Sequence, residues 1–254
     1  MSLKRFMEDA YQGRARAKRL ETRRGIMVFS LEDLADRIGT RPTRAEVEAL
    51  APADESLLGQ LIAADPGKKY QILWGILSSI AAERSPVPVQ LPARDFAGLE
   101  LCRGSIIVEE AKDNVGERMR GGRILICGAA GDFLGQEMSG GGIVAGACKD
   151  YAFRKMRGGF GVVRGFSGNY TGVGNSGGRI VVRGSCGERA GWLMRGGSVR
   201  IAQDAGDYLG LLMSGGRITV KGRTGRRAGW RRRGGAIRAG GYGPEAGDGV
   251  LGLD

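Results

Sequence analysis

Asp113, Asp132, Asp150, Asn169, Glu188 and Asp207 follow one another at steps of 18 or 19 residues, and Arg226 ends the series. A column of carboxylates at that spacing could bind calcium or supply a paired general acid and base. Two physical facts favour a structural role instead. Asp and Asn hydrogen-bond their own turn backbone at corners, and like charges repeated every few ångströms repel unless water reaches them. The expectation is a set of turn residues. Histidine is absent from the 254 residues, which excludes imidazole acid-base chemistry and the commonest metal ligand. Cys102, Cys127, Cys148 and Cys186 lie far apart with no C-x-x-C pair. Neither a zinc site nor an iron-sulfur cluster held by this chain alone is expected, and the four are read as small buried hydrophobes.

The other chemically distinctive stretch runs from Lys221 to Arg238, with eight basic residues and no acidic one. Its candidate partner-binding residues are Arg226, Arg227, Arg231, Arg232 and Arg233. Such a run suits a polar end cap or docking to an acidic partner. RNA is the competing partner, but Trp230 is the one aromatic within the run, and base stacking needs more. The net charge of +12 is unevenly spread: residues 1–98 carry 15 basic and 13 acidic side chains, residues 99–254 carry 24 and 14. Glycine divides at the same place, 7 before it and 40 after. Two domains are expected, 1–98 and 99–254.

The glycine-rich part has a period. Met119, Met138, Met156, Met194 and Met213, with Asn175 and Arg232 in the same column, stand 18 or 19 residues apart. A glycine pair follows each anchor by two and three residues, as Gly121–Gly122 or Gly215–Gly216. Three residues before the anchor stand Gly116, Gly135, Gly172, Gly191, Gly210 and Gly229, with Phe153 as the exception. Five and seven residues after it the chain is apolar, as in Ile124 with Ile126 and Ile218 with Val220, which reads as a short strand with one face in. A unit this short cannot bury its own apolar face, but stacked on copies of itself it can. About seven parallel coils at about 4.8 Å each are expected, with the methionines inside and glycine where the chain bends or approaches the next coil. A Met-lined ligand groove is the alternative to that packing role. Cys148 and Cys186 share a column two coils apart, about 9.6 Å, too far for a disulfide.

Residues 1–98 read as a small helical region. Ser30 with Asp33 and Thr43 with Glu46 resemble capping boxes, the first ahead of a stripe of Leu31, Leu34 and Ile38. YQILWGILSSIAAER places Ile72, Leu73, Ile76, Leu77 and Ile80 on one helical face. SPVPVQLPARD breaks that helix and is expected to be a linker, and LCRGSIIVEE an edge coil. The arm through Arg24 is basic and read as a solvated face. No apolar run approaches the roughly 20 residues of a membrane span, and the start lacks the apolar centre of a secretory signal, so a cytoplasmic place is expected.

GERMRGGRILICG, GERAGWLMRGG and GDYLGLLMSGGRITVKG, within residues 100–240, resemble the GXGXG domain. That domain forms the C-terminal part of the glutamate synthase large subunit, and in formylmethanofuran dehydrogenase it makes up a subunit separate from the catalytic ones. The resemblance implies a right-handed parallel β-helix without catalytic residues or cofactor of its own, which braces the catalytic units of an oxidoreductase complex. The MRGG and MSGG wording is more similar to the GXGXG subunit of the dehydrogenase; a stand-alone glutamate-synthase-like subunit is the alternative, and a basic scaffold for nucleic acid or an acidic protein is another. The fold class expected is mainly β, a right-handed parallel β-helix of about seven 19-residue coils behind a small α-helical region. Catalytic subunits of that complex are the expected partners, with a second copy left open and no membrane. A polysaccharide-cleaving β-helix is disfavoured by coils too uniform to build cleft walls, and hexapeptide acyltransferases by the 19-residue step and the missing histidine.

Overall fold

A computed structural model describes residues 30–247 and 250–252. The expected solvated arm through Arg24 lies outside the described residues. Four helices come first: α1 (Leu31–Ile38), α2 (Arg44–Leu50), α3 (Glu55–Ala63) and α4 (Gln71–Arg84). Both expected capping boxes are present. Ser30 Oγ accepts from the Asp33 N–H while Asp33 accepts from the Ser30 N–H, and Thr43 and Glu46 do the same. Leu31 and Leu34 are buried and Ile38 is half-buried. Helix α3 has no counterpart among the sequence expectations; Asp54 caps it by accepting from the Ser56 and Leu57 N–H groups.

The rest is a parallel β-solenoid. Its strands are β1 (Val89–Leu91), β2 (Ser105–Val108), β3 (Arg123–Ile126), β4 (Ala129–Ala130), β5 (Gly142–Ala145), β6 (Ala147–Cys148), β7 (Phe160–Val163), β8 (Arg179–Val182), β9 (Ser198–Ile201), β10 (Arg217–Arg223), β11 (Ala236–Gly241) and β12 (Val250–Gly252). Ten of them form one sheet in the order β1-β2-β3-β5-β7-β8-β9-β10-β11-β12, with Ile180 beside Val199 and Val199 beside Ile218. A second stacked line joins β4 to β6 and continues as single bridges through Ser167, Cys186, Ala205 and Thr224. The stack is longer than the seven coils expected. SPVPVQLPARD is not only a linker, since β1 lies within it and pairs outside β2; LCRGSIIVEE, which contains β2, is therefore flanked on both sides.

Alternation along each strand fills the interior. Ile124 and Ile126, Ile180 and Val182, Ile218 and Val220 point in, and Met119, Met138, Met156, Met194 and Met213 are fully buried beside them. The glycine pair divides its labour. A Cβ on Gly140 would sit 2.1 Å from the Arg120 carbonyl oxygen of the coil below, whereas Gly141 has φ +74° and a Cβ there would meet the Met119 methyl at 2.6 Å. The first glycine permits close approach and the second the left-handed bend. Phe153, the exception in its column, takes φ 56° itself and is fully buried. Its ring occupies the space of a Cβ on Gly161, 2.3 Å away, where other coils carry Ile143 or Ile180. A large residue in the turn is thus matched by a missing one in the strand.

Helix α4 closes the N-terminal end. It is buried nearly all round, through Leu73, Trp74, Ile76, Leu77 and Ile80, rather than on the one face expected. Its polar groups satisfy the backbone of the first coil: Ser79 Oγ donates to the Leu99 carbonyl at 2.8 Å, Ser78 Oγ accepts from the Gly98 N–H at 3.0 Å, and Glu83 accepts from the Cys102 N–H at 2.7 Å. Such an edge, left open, would be a template for pairing with another chain. At the other end β12 pairs with β11, Ile237 opposite Val250.

Candidate functional site

The carboxylate column lies where the coil turns toward its left-handed segment, and its chemistry is spent on backbone. Asp113 Oδ1 accepts from the Asp132 N–H at 2.8 Å, Asp132 from Asp150 at 2.9 Å, Asp150 from Asn169 at 2.7 Å, and Asn169 from Glu188 at 2.8 Å. Asp207 continues with the Arg226 N–H at 2.8 Å. Each side chain caps the next coil rather than its own turn, which corrects the expectation of local turn bonding. The reason is geometric: the coil one strand spacing away presents an N–H that the flat turn leaves unpaired. Glu188 breaks the ladder, because its extra methylene makes no such bond to the Asp207 N–H among the described residues. The Arg226 N–H, and then its guanidinium, hold the Asp207 carboxyl below the usual carboxylate range. Among the described residues no group of three His, Cys, Asp or Glu is placed to hold a metal ion.

The C-terminal arginines are scattered in role. Arg226 pairs with Asp207 at 3.2 Å, and Arg227 with Glu245 at 2.6 Å. Arg232, in the methionine column, donates to the Gly235 carbonyl. Arg231 and Arg233 are exposed. The coil carrying them is not the end of the stack: the Arg227 N–H donates to the Pro244 carbonyl and the Gly247 N–H to Ala228, so a further turn of chain lies over it.

The structure separates the cysteines. Cys148 and Cys186 are buried as expected, but Cys102 and Cys127 are exposed, because both fall at corners or outward strand positions rather than in an inward column. All four are free thiols. Burial pushes the Cys148 thiol up to about 11 and the Cys186 thiol up to about 12. Ser167 lies between them, 3.1 Å from Cys148 Sγ and 2.5 Å from Thr171 Oγ1, in a polar seam through an otherwise apolar interior.

One ladder is absent from the sequence expectations. Five residues before each anchor stand Asn114, Phe133, Tyr151, Tyr170, Arg189, Tyr208 and Arg227, all with positive φ. Phe133 and Tyr151 stack at 5.0 Å, Tyr151 and Tyr170 at 4.6 Å. The Arg189 guanidinium sits 5.5 Å from the Tyr170 ring and 5.3 Å from that of Tyr208. The period that places the methionines could have found it. Tyr151 is stacked on both faces, and Tyr208 has a guanidinium within cation–π distance from each neighbouring coil, Arg189 and Arg227.

A cleft of about 1180 Å³ lies between α2 and the first coils, lined by Arg41, Arg44, Lys68, Glu100, Glu117 and Arg118 among others. Its charges are largely paired internally: Arg44 with Glu48 and Glu83, and Glu100 with Arg118 and Arg120. Burial raises the Glu117 carboxyl above its ordinary value.

Comparison of the sequence with protein-family models and with curated proteins finds no match. No helix among the described residues is long and apolar enough to cross a membrane.

Proposed function

We propose that this chain is a structural subunit without catalytic residues of its own, a rod that braces neighbouring subunits. The observation that carries this reading is the fate of the Asp column. The residues best suited to acid-base or metal chemistry are consumed in capping successive coils, from Asp113 to Asp150 without interruption. A packed interior of strand aliphatics and methionines speaks in the same direction, since a Met-lined ligand groove would need solvent access and all five methionines have none. The resemblance of GERMRGGRILICG and GDYLGLLMSGGRITVKG to the GXGXG domain supports an oxidoreductase complex as the setting. The GXGXG subunit of formylmethanofuran dehydrogenase is the nearest in wording, with a glutamate-synthase-like subunit as the alternative.

The test is isolation of the chain from its native source under low salt. Recovery in a stoichiometric complex with redox or amidotransferase subunits is the expected result. A chain recovered only as a monomer overturns the reading. A nucleic-acid scaffold is less well supported, because the aromatic ladder is stacked largely on itself, with Tyr151 held between Phe133 and Tyr170.

A further inference from the structure

The outward side of the ten-stranded sheet has a charge pattern that nothing in the fold requires. Three outward positions recur on each coil, two residues apart along the strand. The middle position is apolar on five consecutive coils, Ile107, Leu125, Val144, Val162 and Val181, each half-buried. Arg123 and Arg179 stand on one side of this stripe and Arg164 and Arg183 on the other; Arg217 and Lys221 hold the same two columns two coils further on, either side of Thr219. Beyond Val181 the stripe itself turns basic, with Arg200 and Arg238 separated by Thr219. All eight cations are exposed, and no ion pair or side-chain hydrogen bond joins any of them to another described residue. Glu109 is the single carboxylate among these positions. Phe160, 43% exposed, lies with its ring over Gly142 of the coil below, where a Cβ would meet Cζ at 2.0 Å. The flank of the stripe that carries Arg123 and Arg179 is therefore flat between those two arginines.

We infer that this face docks an acidic amphipathic helix of a partner protein. Its dimensions suit one. Four strand spacings from Ile107 to Val181 make about 19 Å, the length of about 13 helical residues. The two cationic columns are four residues apart, about 13 Å, which brackets a helix of about 10–12 Å with its side chains. An apolar centre with a charged rim, and arginine preferred to lysine by seven to one, is the composition of a protein interface. Phosphates of a nucleic acid would gain nothing from the aliphatic stripe. Short aliphatic side chains in a pleat do not reach the depth that membrane insertion needs. Residues 1–29 of this chain carry eight basic and three acidic side chains, so they do not complement the face either.

The inference rests on the reading of the chain as a brace for other subunits, and names the surface by which it does so. Binding of the full chain is measured by fluorescence anisotropy at low salt against a labelled 18-residue helical peptide with leucines on one face and glutamates beside them. The same peptide with lysine for glutamate, a 20-nucleotide oligouridylate, and vesicles containing phosphatidylserine serve as comparisons. The acidic helix is expected to bind, and Arg179→Glu with Arg183→Glu and Arg200→Glu to weaken it at least tenfold. Val162→Ser with Val181→Ser should weaken it severalfold without a change in charge. Both variants alter exposed or half-buried side chains, and unchanged circular dichroism establishes that they fold. Absence of binding, binding indifferent to the arginine reversals, or tighter binding of the oligouridylate or the vesicles overturns the assignment. Recovery of the chain in its native complex is a separate measurement, so failure here leaves the brace reading standing and failure there removes it.

Discussion

Phe153 and Gly161 exchange volume across a turn and a strand, and each alone is a poor choice for its column. Phe153→Gly leaves a cavity beneath a strand that has no side chain to fill it, and should cost about 3 kcal/mol. Gly161→Ile alone would drive a branched side chain into the Phe153 ring, about 1–3 kcal/mol from overpacking. The double variant restores the arrangement of the neighbouring coils and should return to within about 1 kcal/mol of the parent. Urea unfolding of the four proteins gives the coupling directly, and additive losses would show that the two sites do not share space. The thiols make a second residue-scale prediction. In the native protein a chromogenic disulfide should titrate Cys102 and Cys127, and reach Cys148 and Cys186 only on unfolding. Because burial raises the folded pKa of the inner pair, the unfolded chain releases those protons first as pH rises. Their contribution is intact below the ordinary thiol value of 9.0 and is lost between there and about 11 for Cys148 and about 12 for Cys186. Thermal midpoints measured from pH 8 to 11 should fall, and Cys148→Ala with Cys186→Ala should flatten that fall.

Among the elements, the cross-coil carboxylate ladder is the part that periodicity alone could not orient. The column is legible at Asp113, Asp132 and Asp150, but one sequence says only which residues stack, not whether a side chain bonds within its own turn or across to the next. The missing rung at Glu188 supplies a test. Glu188→Asp brings the carboxylate within reach of the Asp207 N–H and should stabilise by about 0.5–1.5 kcal/mol, read as a raised urea midpoint; a lowered midpoint would show that the Glu188–Arg189 pair matters more. Strand polarity and the inward methionines are readable for a stronger reason. Apolar alternation and glycine bends each fix the register, and both repeat at the same step. Left-handed backbone at Tyr151, Tyr170 and Tyr208 is not readable, because no propensity favours it. It is imposed by hydrogen bonds to the neighbouring coil, such as Tyr170 N–H to the Glu188 carbonyl at 2.8 Å. The exposed Cys127 departs from expectation for the opposite reason: its parity on the strand outweighs cysteine's general preference for burial.

As a whole molecule the solenoid depends on its helical end. Composition divides the chain at residue 98, yet β1 and α4 fall on the earlier side of that line and complete the first coil, through Val89 beside Ile106 and Ser79 on the Leu99 carbonyl. A chain beginning at residue 99 should therefore expose an unpaired parallel edge and self-associate, seen as large species by light scattering. A chain beginning at residue 30 should remain monodisperse; equal behaviour of the two would show that the end needs no cover. Glycine content draws the division, and the edge-satisfying contacts cross it because an open stack has to be closed by something other than another coil. Between the α4 cap and β12, the coils offer closely similar upper and lower surfaces, apart from the Phe153–Gly161 exchange and the missing rung at Glu188. Inserting or removing one complete unit of 19 residues would then change the separation of the ends by one rung while leaving both ends and each local contact as they were. The molecule works as a ruler graduated in steps of about 4.8 Å, and whatever it holds apart is held at a distance set by how many units the chain encodes.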